Sequence, residues 1–240
     1  MKLNDDVYVL ALPLQRNGQT HVFNLSLLAD ATHGPTLVDT GLPGQQDAIA
    51  SALAEASVGV PDLRRIILTH QDIDHVGSLH DLVQTSSARV LAHAIEIPFI
   101  DGTTLPRFAT PEVLAQRPEL RAVAEHFQPT PVDEPLQDGT RLDLAGGVRV
   151  IFTPGHTPGH ICLYLERSKT LITGDALTAS EGRLQGPNEG ATPDLPTARQ
   201  SVRKLAELDV QTIVCYHGGV VREDANGQLR RVAQESASAQ

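Results

Sequence analysis

The stretch RRIILTHQDIDH, residues 64–75, runs from an apolar segment straight into a cluster of ionisable side chains. RRIILTH reads as a buried strand ending at His70. The positions from His70 to His75 then hold two histidines and two aspartates, and HVGSLHDLVQ starts a helix. In an extended segment His70, Asp72 and Asp74 share a face, because side chains alternate with period two. His75 turns away as the chain bends. A strand-to-helix turn of this kind aims several side chains into one pocket and can serve two metal centres. The bland alternative is a polar turn with Asp74 capping the helix. So many ligand-type side chains in so short a run argue against it.

Three further stretches share the form of an apolar strand followed by a ligand-type residue. IFTPGHTPGH places His156 just beyond a strand, LITGD places Asp175 at a strand end, and IVCYHGG places His217 at another. Each alone is weak, since a lone histidine after a strand is more often structural. Together they matter, because the donors of a closed metal site must converge from separate strands.

These motifs carry a resemblance. VDTG (38–41), HxDxDH (70–75), TPGHTPGH (153–160), TGD (173–175) and YHGG (216–219) occur in the order of the metallo-β-lactamase superfamily. The chain resembles its glyoxalase-II-like and lactonase-like metallo-hydrolase branch over about residues 20–220. The resemblance implies an α/β fold, a four-layer αββα sandwich with metals at the edge of two facing sheets. It implies two divalent metal ions. One would be held by His70, Asp72 and His156, the other by Asp74, His75 and His217, with Asp175 bridging both. Asp39 and His160 would support these ligands. Asp74 would orient a metal-bridging hydroxide that attacks an ester, thioester or lactone carbonyl.

The sequence departs from the family at one ligand. The usual pattern is HxHxDH, and here Asp72 replaces the second histidine. A carboxylate is a harder donor than imidazole, so manganese or iron gains on zinc without excluding it. Flavodiiron oxidoreductases look similar in carrying a carboxylate at this position, and persulfide dioxygenases of the same fold use one iron. An iron-dependent oxidoreductase or dioxygenase is therefore the alternative to a binuclear hydrolase, and a non-catalytic chain with a decaying site is a third reading. The segment GDALTAS lacks the tyrosine that lactonase relatives place after the bridging aspartate, so the substrate stays open.

The whole chain bounds the rest. Its 240 residues suit one large domain or two small ones. The expected layout is one domain over 1–232, with a Pro-rich helical cap inserted at 94–137 and a disordered tail at 233–240. Within the cap, PEVLAQRPELRAVAEHF reads as helical. Residues 176–196 read as a long loop, and Thr197 as the cap of a following helix. With 40 % hydrophobic but only 3 % aromatic residues, the core must rest on Leu, Val, Ile and Ala. The net charge of −10 disfavours nucleic acid and anionic lipid. Cys162 and Cys215 lie in apolar runs and read as buried thiols. No segment approaches the ~18 apolar residues of a membrane span. The expectation is a cytoplasmic enzyme acting on a small molecule, with a homodimer left open. His93 reads as a structural histidine that borders the pocket at most, and His21, His33, His80 and His126 carry no assigned role.

Overall fold

The computed structural model of the chain describes residues 1–16 and 18–238. Among them, two six-stranded sheets face each other. The first runs in order β1 (Val7–Arg16), β2 (Gln19–Leu28), β3 (Thr36–Val38), β4 (Arg65–Leu68), β5 (Arg89–His93) and β6 (Glu134–Leu136). Its β1–β2–β3 part is antiparallel, and β3 to β6 pair in parallel through helical crossovers. The second contains β7 (Arg141–Leu142), β8 (Val148–Phe152), β9 (Ile161–Leu165), β10 (Thr170–Ile172), β13 (Thr212–Cys215) and β14 (Gly219–Val221). A small hairpin of β11 (Thr178–Ser180) and β12 (Arg183–Gln185) lies between β10 and β13 in the chain.

Alternating side chains divide the apolar residues into three layers. On β4, Ile67 faces the space between the sheets, while Ile66 and Leu68 face outward onto helices. On β9, Ile161, Leu163 and Leu165 point into the same central layer, and Cys162 and Tyr164 point away from it. This is the period-two rule applied to strands buried on both faces. The outer face of the first sheet is covered by α1 (Gln46–Glu55) and α3 (Leu79–Ser86), through Ile49, Leu53, Leu79 and Leu82. The outer face of the second is covered by α7 (Leu195–Leu205) and α8 (Ala225–Ser238), through Val202, Leu205, Leu229 and Val232. The result is the expected αββα sandwich.

Several local expectations need correcting. HVGSLHDLVQ is two helices, a single turn α2 (Ile73–Val76) and then α3, and the helix begins at Ile73 with Asp72 at its N-cap. Asp74 and His75 therefore sit on a helical turn rather than an extended segment. The cap is not helical throughout 94–137, because β6 within it completes the first sheet, hydrogen-bonded beside β5. Its helices are α4 (Ile97–Ile100), α5 (Pro111–Gln116) and α6 (Arg121–Glu125), with 3-10 turns at Arg107–Ala109 and Pro118–Leu120. Pro118 splits the longer run because its ring cannot continue a helix. The loop 176–196 contains the β11–β12 hairpin. Helix α7 is capped by Asp194, whose carboxylate accepts the Thr197 N–H at 3.1 Å. The expected disordered tail is α8 as far as Ser238, with Ala233 and Ser236 buried, and residues 239–240 lie outside the described residues. Its apolar stripe covers the second sheet, a long-range contact that a composition reading of AQESASAQ misses.

Candidate metal centre

The ligand-type residues stand where strands of both sheets end along one edge. Ile161 N–H at the start of β9 donates to Thr69 O at the end of β4, 3.0 Å away. Asn24 N–H on β2 donates to Tyr216 O just beyond β13, also 3.0 Å away. The first joins the segments after β4 and β8, the second ties the segment after β13 to β2, and Tyr216 N–H donating to Gly174 O at 3.4 Å links that segment to the loop after β10. The segment after β13 turns sharply at Gly218, where φ is +101° and an added Cβ would stand 1.7 Å from Ala179 O. Only glycine fits there, and it aims His217 back at the other ligands.

The expected site residues do converge. Two groups of three donors form, His70 with His156 and Asp175, and Asp74 with His75 and His217, each with its donor atoms within 4.8 Å of one another. Asp175 stands between the groups. Its Oδ1 is 3.2 Å from His75 Nε2, and its Oδ2 is 3.4 Å from both His156 Nε2 and His217 Nε2. Asp74 Oδ2 is 3.3 Å from His217 Nε2. His70 Nε2, His75 Nε2 and Asp175 Oδ1 are buried and make no hydrogen bond, although the last two are close. Buried polar atoms are nearly always satisfied. Orphaned nitrogens in each donor group, with an orphaned carboxylate oxygen of Asp175 beside them, fit divalent cations, and the donor set suits zinc, manganese or iron.

Second partners orient the rings. His75 Nδ1 lies 2.9 Å from Asp39 Oδ2, and His70 Nδ1 lies 3.0 Å from Thr69 Oγ1. His156 Nδ1 faces Thr192 Oγ1 at 3.4 Å. Such contacts leave each Nε2 free for a metal. His160 takes the supporting place: its Nε2 accepts the Asp175 N–H at 3.1 Å, and its Nδ1 meets Thr153 Oγ1 at 2.9 Å. Burial and the neighbouring histidines push its pKa well down, which keeps it neutral and able to accept.

The electrostatics are those of a site built for positive charge. Burial works against the His217 cation, but Asp175 and Asp74 raise its pKa to about 10. Burial likewise opposes protonation of His75, yet Asp39, Asp175 and Asp74 hold its pKa well above the ordinary histidine value. Asp72 is half-buried near His70 and His156, with Oδ2 3.7 Å and 3.1 Å from their Nε2 atoms. Burial disfavours its charge, but His156, His70 and Arg107 hold its carboxyl well below the carboxylate range.

Sequence reasoning missed three residues. Arg107, from the inserted cap, binds both oxygens of Asp72. Glu96, fully buried, accepts the Gln71 N–H at 2.9 Å and the Gly159 N–H at 2.6 Å, tying the two histidine loops together. Tyr216 donates its hydroxyl to Asp74 O. No local pattern marks them; a glutamate three residues after the β5 histidine was the one available hint. His93 is not in the cluster and stacks on Phe152, ring centroids 4.6 Å apart. The donors open onto a cavity of about 1210 Å³. The β1–β2 hairpin walls it through His21 and Phe23, the cap through Arg107 and Phe108, and the loop before α7 through Thr192.

Comparison with known proteins agrees with this geometry. The profile of the metallo-beta-lactamase superfamily matches residues 20–217. The probable metallo-hydrolase YflN of Bacillus subtilis (strain 168) is 29 % identical over 211 residues, covering 80 % of this chain and 78 % of that protein. The atrochrysone carboxyl ACP thioesterase of Aspergillus fumigatus is 26 % identical over 190 residues, which cover 78 % of this chain but 35 % of that protein. The crystal structure of the metallo-beta-lactamase family protein TTHA1429 from Thermus thermophilus superposes with a TM-score of 0.72 at 29 % identity, over 99 % of this chain and 80 % of that one. With its ligand-type residues gathered at one edge of an αββα sandwich, this chain belongs to the metallo-beta-lactamase superfamily.

Proposed function

We propose that the chain is a binuclear metal-dependent hydrolase acting on a small ester, thioester or lactone. The observation that carries this reading is the pair of three-donor groups flanking Asp175 at the mouth of one large cavity. His70, His156 and Asp175 would hold one ion, with Asp72 as a further donor on that side, and Asp74, His75 and His217 the other. Bound there, the ions would supply an activated water and a polarised carbonyl oxygen. The chain's own residues do the rest. Asp74 Oδ2, 3.3 Å from His217 Nε2 and 3.9 Å from His75 Nε2, would orient the attacking water and accept its proton. Asp39 and Thr69 fix the His75 and His70 rings. The apolar walls at Phe23, Phe108 and Leu120 would seat the acyl part of the substrate.

The similarity to a thioesterase and a probable metallo-hydrolase supports acyl transfer to water. The net charge of −10 supports a small-molecule substrate rather than nucleic acid. Among the described residues no helix is long and apolar enough to cross a membrane. The test is elemental analysis of protein made without added metal, paired with assays on an aryl ester, a thioester and a lactone. Two zinc or manganese ions per chain with turnover, lost on chelation and restored on metal return, is the expected result. One iron without hydrolysis would replace it with the iron-dependent redox reading.

A further inference from the structure

Asp72 stands where the family pattern has a histidine, and its partner in this structure is an arginine from another part of the chain. Arg107 Nε donates to Asp72 Oδ1 at 3.2 Å, and Nη2 donates to Oδ2. Oδ2 is the oxygen that faces His156 Nε2 at 3.1 Å and His70 Nε2 at 3.7 Å. Nη2 itself is 3.4 Å from His156 Nε2. The guanidinium thus occupies the side of Asp72 that an ion on His70 and His156 would need. It is held further by Nη1, which donates to His156 O at 3.0 Å and Ala191 O at 3.3 Å.

Arg107 also ties down the cap. Its backbone N–H donates to Gln71 Oε1 at 3.0 Å, beside Asp72 in the chain. Phe108 next to it is buried in the core and meets Phe127 edge-on at 5.3 Å. Beyond that anchor, α5, the 3-10 turn at Pro118–Leu120 and α6 contain no fully buried residue. Leu120, Val123 and Ala124 pack against the core only in part, so the segment leans on the strong bonds at its base.

We propose that Arg107 is an internal cation that competes with the metal for Asp72, so that filling the His70–His156 seat frees the Arg107 side chain and loosens residues 111–125 of the cap. An ion and a guanidinium on the same carboxylate oxygen repel each other, and in a partly buried pocket that repulsion is poorly screened, so each weakens the other's hold on Asp72. The proposal rests on the metal-hydrolase reading for the ion but not for the tether. It makes the second ion weaker than the first, and it makes the cavity wall respond to metal loading.

The test combines manganese titration, read by electron paramagnetic resonance of free Mn²⁺, with amide hydrogen exchange over residues 111–125. In the unmodified chain the second ion is expected to bind at least tenfold more weakly than the first, and loading is expected to raise exchange in 111–125 at least threefold. Arg107→Met should tighten the second ion about tenfold or more, and Arg107→Lys, which keeps the charge but not the fork, by less than threefold. Metal-free Asp72→Asn should reproduce the rise in exchange with no ion present. An Arg107→Met chain whose second ion binds equally or more weakly would overturn the competition. Unchanged exchange in both the loaded chain and metal-free Asp72→Asn would overturn the tether. If no manganese binds at all, the metal reading and the competition fall together, while Asp72→Asn still decides the tether.

Discussion

Asp39 points Oδ2 at His75 Nδ1 from 2.9 Å while its Oδ1 accepts the Thr69 N–H at 2.8 Å. It does so from a left-handed backbone, φ +63°. A non-glycine residue there is strained and persists only where the surroundings dictate it. The strained backbone sets the geometry: the carboxylate sits under the ligand cluster, buried, and fixes both the β4 end and the His75 ring.

Replacing Asp39 should therefore act on the metal without touching it. Asp39→Asn keeps one acceptor oxygen where His75 Nδ1–H and Thr69 N–H each need one, and turns an NH2 donor on the other. The affinity for the ion on Asp74, His75 and His217 is expected to fall about 10–100-fold, as for other partners of metal-ligating histidines. Competition with a chelating dye measures this. Affinity within threefold of the parent would show that the ring needs no such support.

Metal uptake should be strongly pH-dependent. The His217 pKa is raised to about 10 from an ordinary 6.5, and that of His75 is raised well above it. At neutral pH both rings hold protons that an ion must displace, so apparent affinity should climb as pH rises from 6.5 towards 10. The metal-free chain should behave in the opposite sense. A raised folded pKa stabilises fully below 6.5 and is lost as pH rises through about 10. Urea midpoints of metal-free protein at pH 6.5 and 9.5 test the sign. A midpoint that rises over this window would contradict it.

Glu96 should prove a structural brace. Its carboxylate takes the N–H groups of Gln71 and Gly159, which lie in the loops of His70 and His156 from different sheets. Glu96→Ala leaves two buried donors unpaired, a cost of about 2–4 kcal/mol. Glu96→Gln keeps one acceptor oxygen and should cost about half as much. Denaturant unfolding gives both numbers, and equal losses in the two variants would point to packing rather than hydrogen bonding.

The last helix should carry part of the fold's stability. Leu229 on α8 is completely buried in the outer layer of the second sheet. Leu229→Ala is expected to cost about 2–5 kcal/mol. A loss below about 1 kcal/mol would mean that α8 is only loosely docked.

The amino-acid sequence determined the fold class, through its resemblance to the superfamily, and the donors of the candidate metal centre. Each donor follows an apolar strand within a few residues, so a local signal marks both the strand and its ligand: RRIILTH for His70, LITGD for Asp175, IVCYH for His217. The order of strands and helices points to layered α/β packing, and the four-layer order came from the resemblance to the superfamily. Only the tertiary structure decided what Asp72 and the loops beside it bond to. Arg107 meets Asp72 across 35 positions, and Glu96 reaches Gly159 across 63. β6 joined the first sheet, and α8 formed over the second, for the same reason. Short polar or Pro-containing segments have weak preferences of their own. They take whichever partner the packed sheets present, and that choice is invisible until distant parts of the chain are brought together.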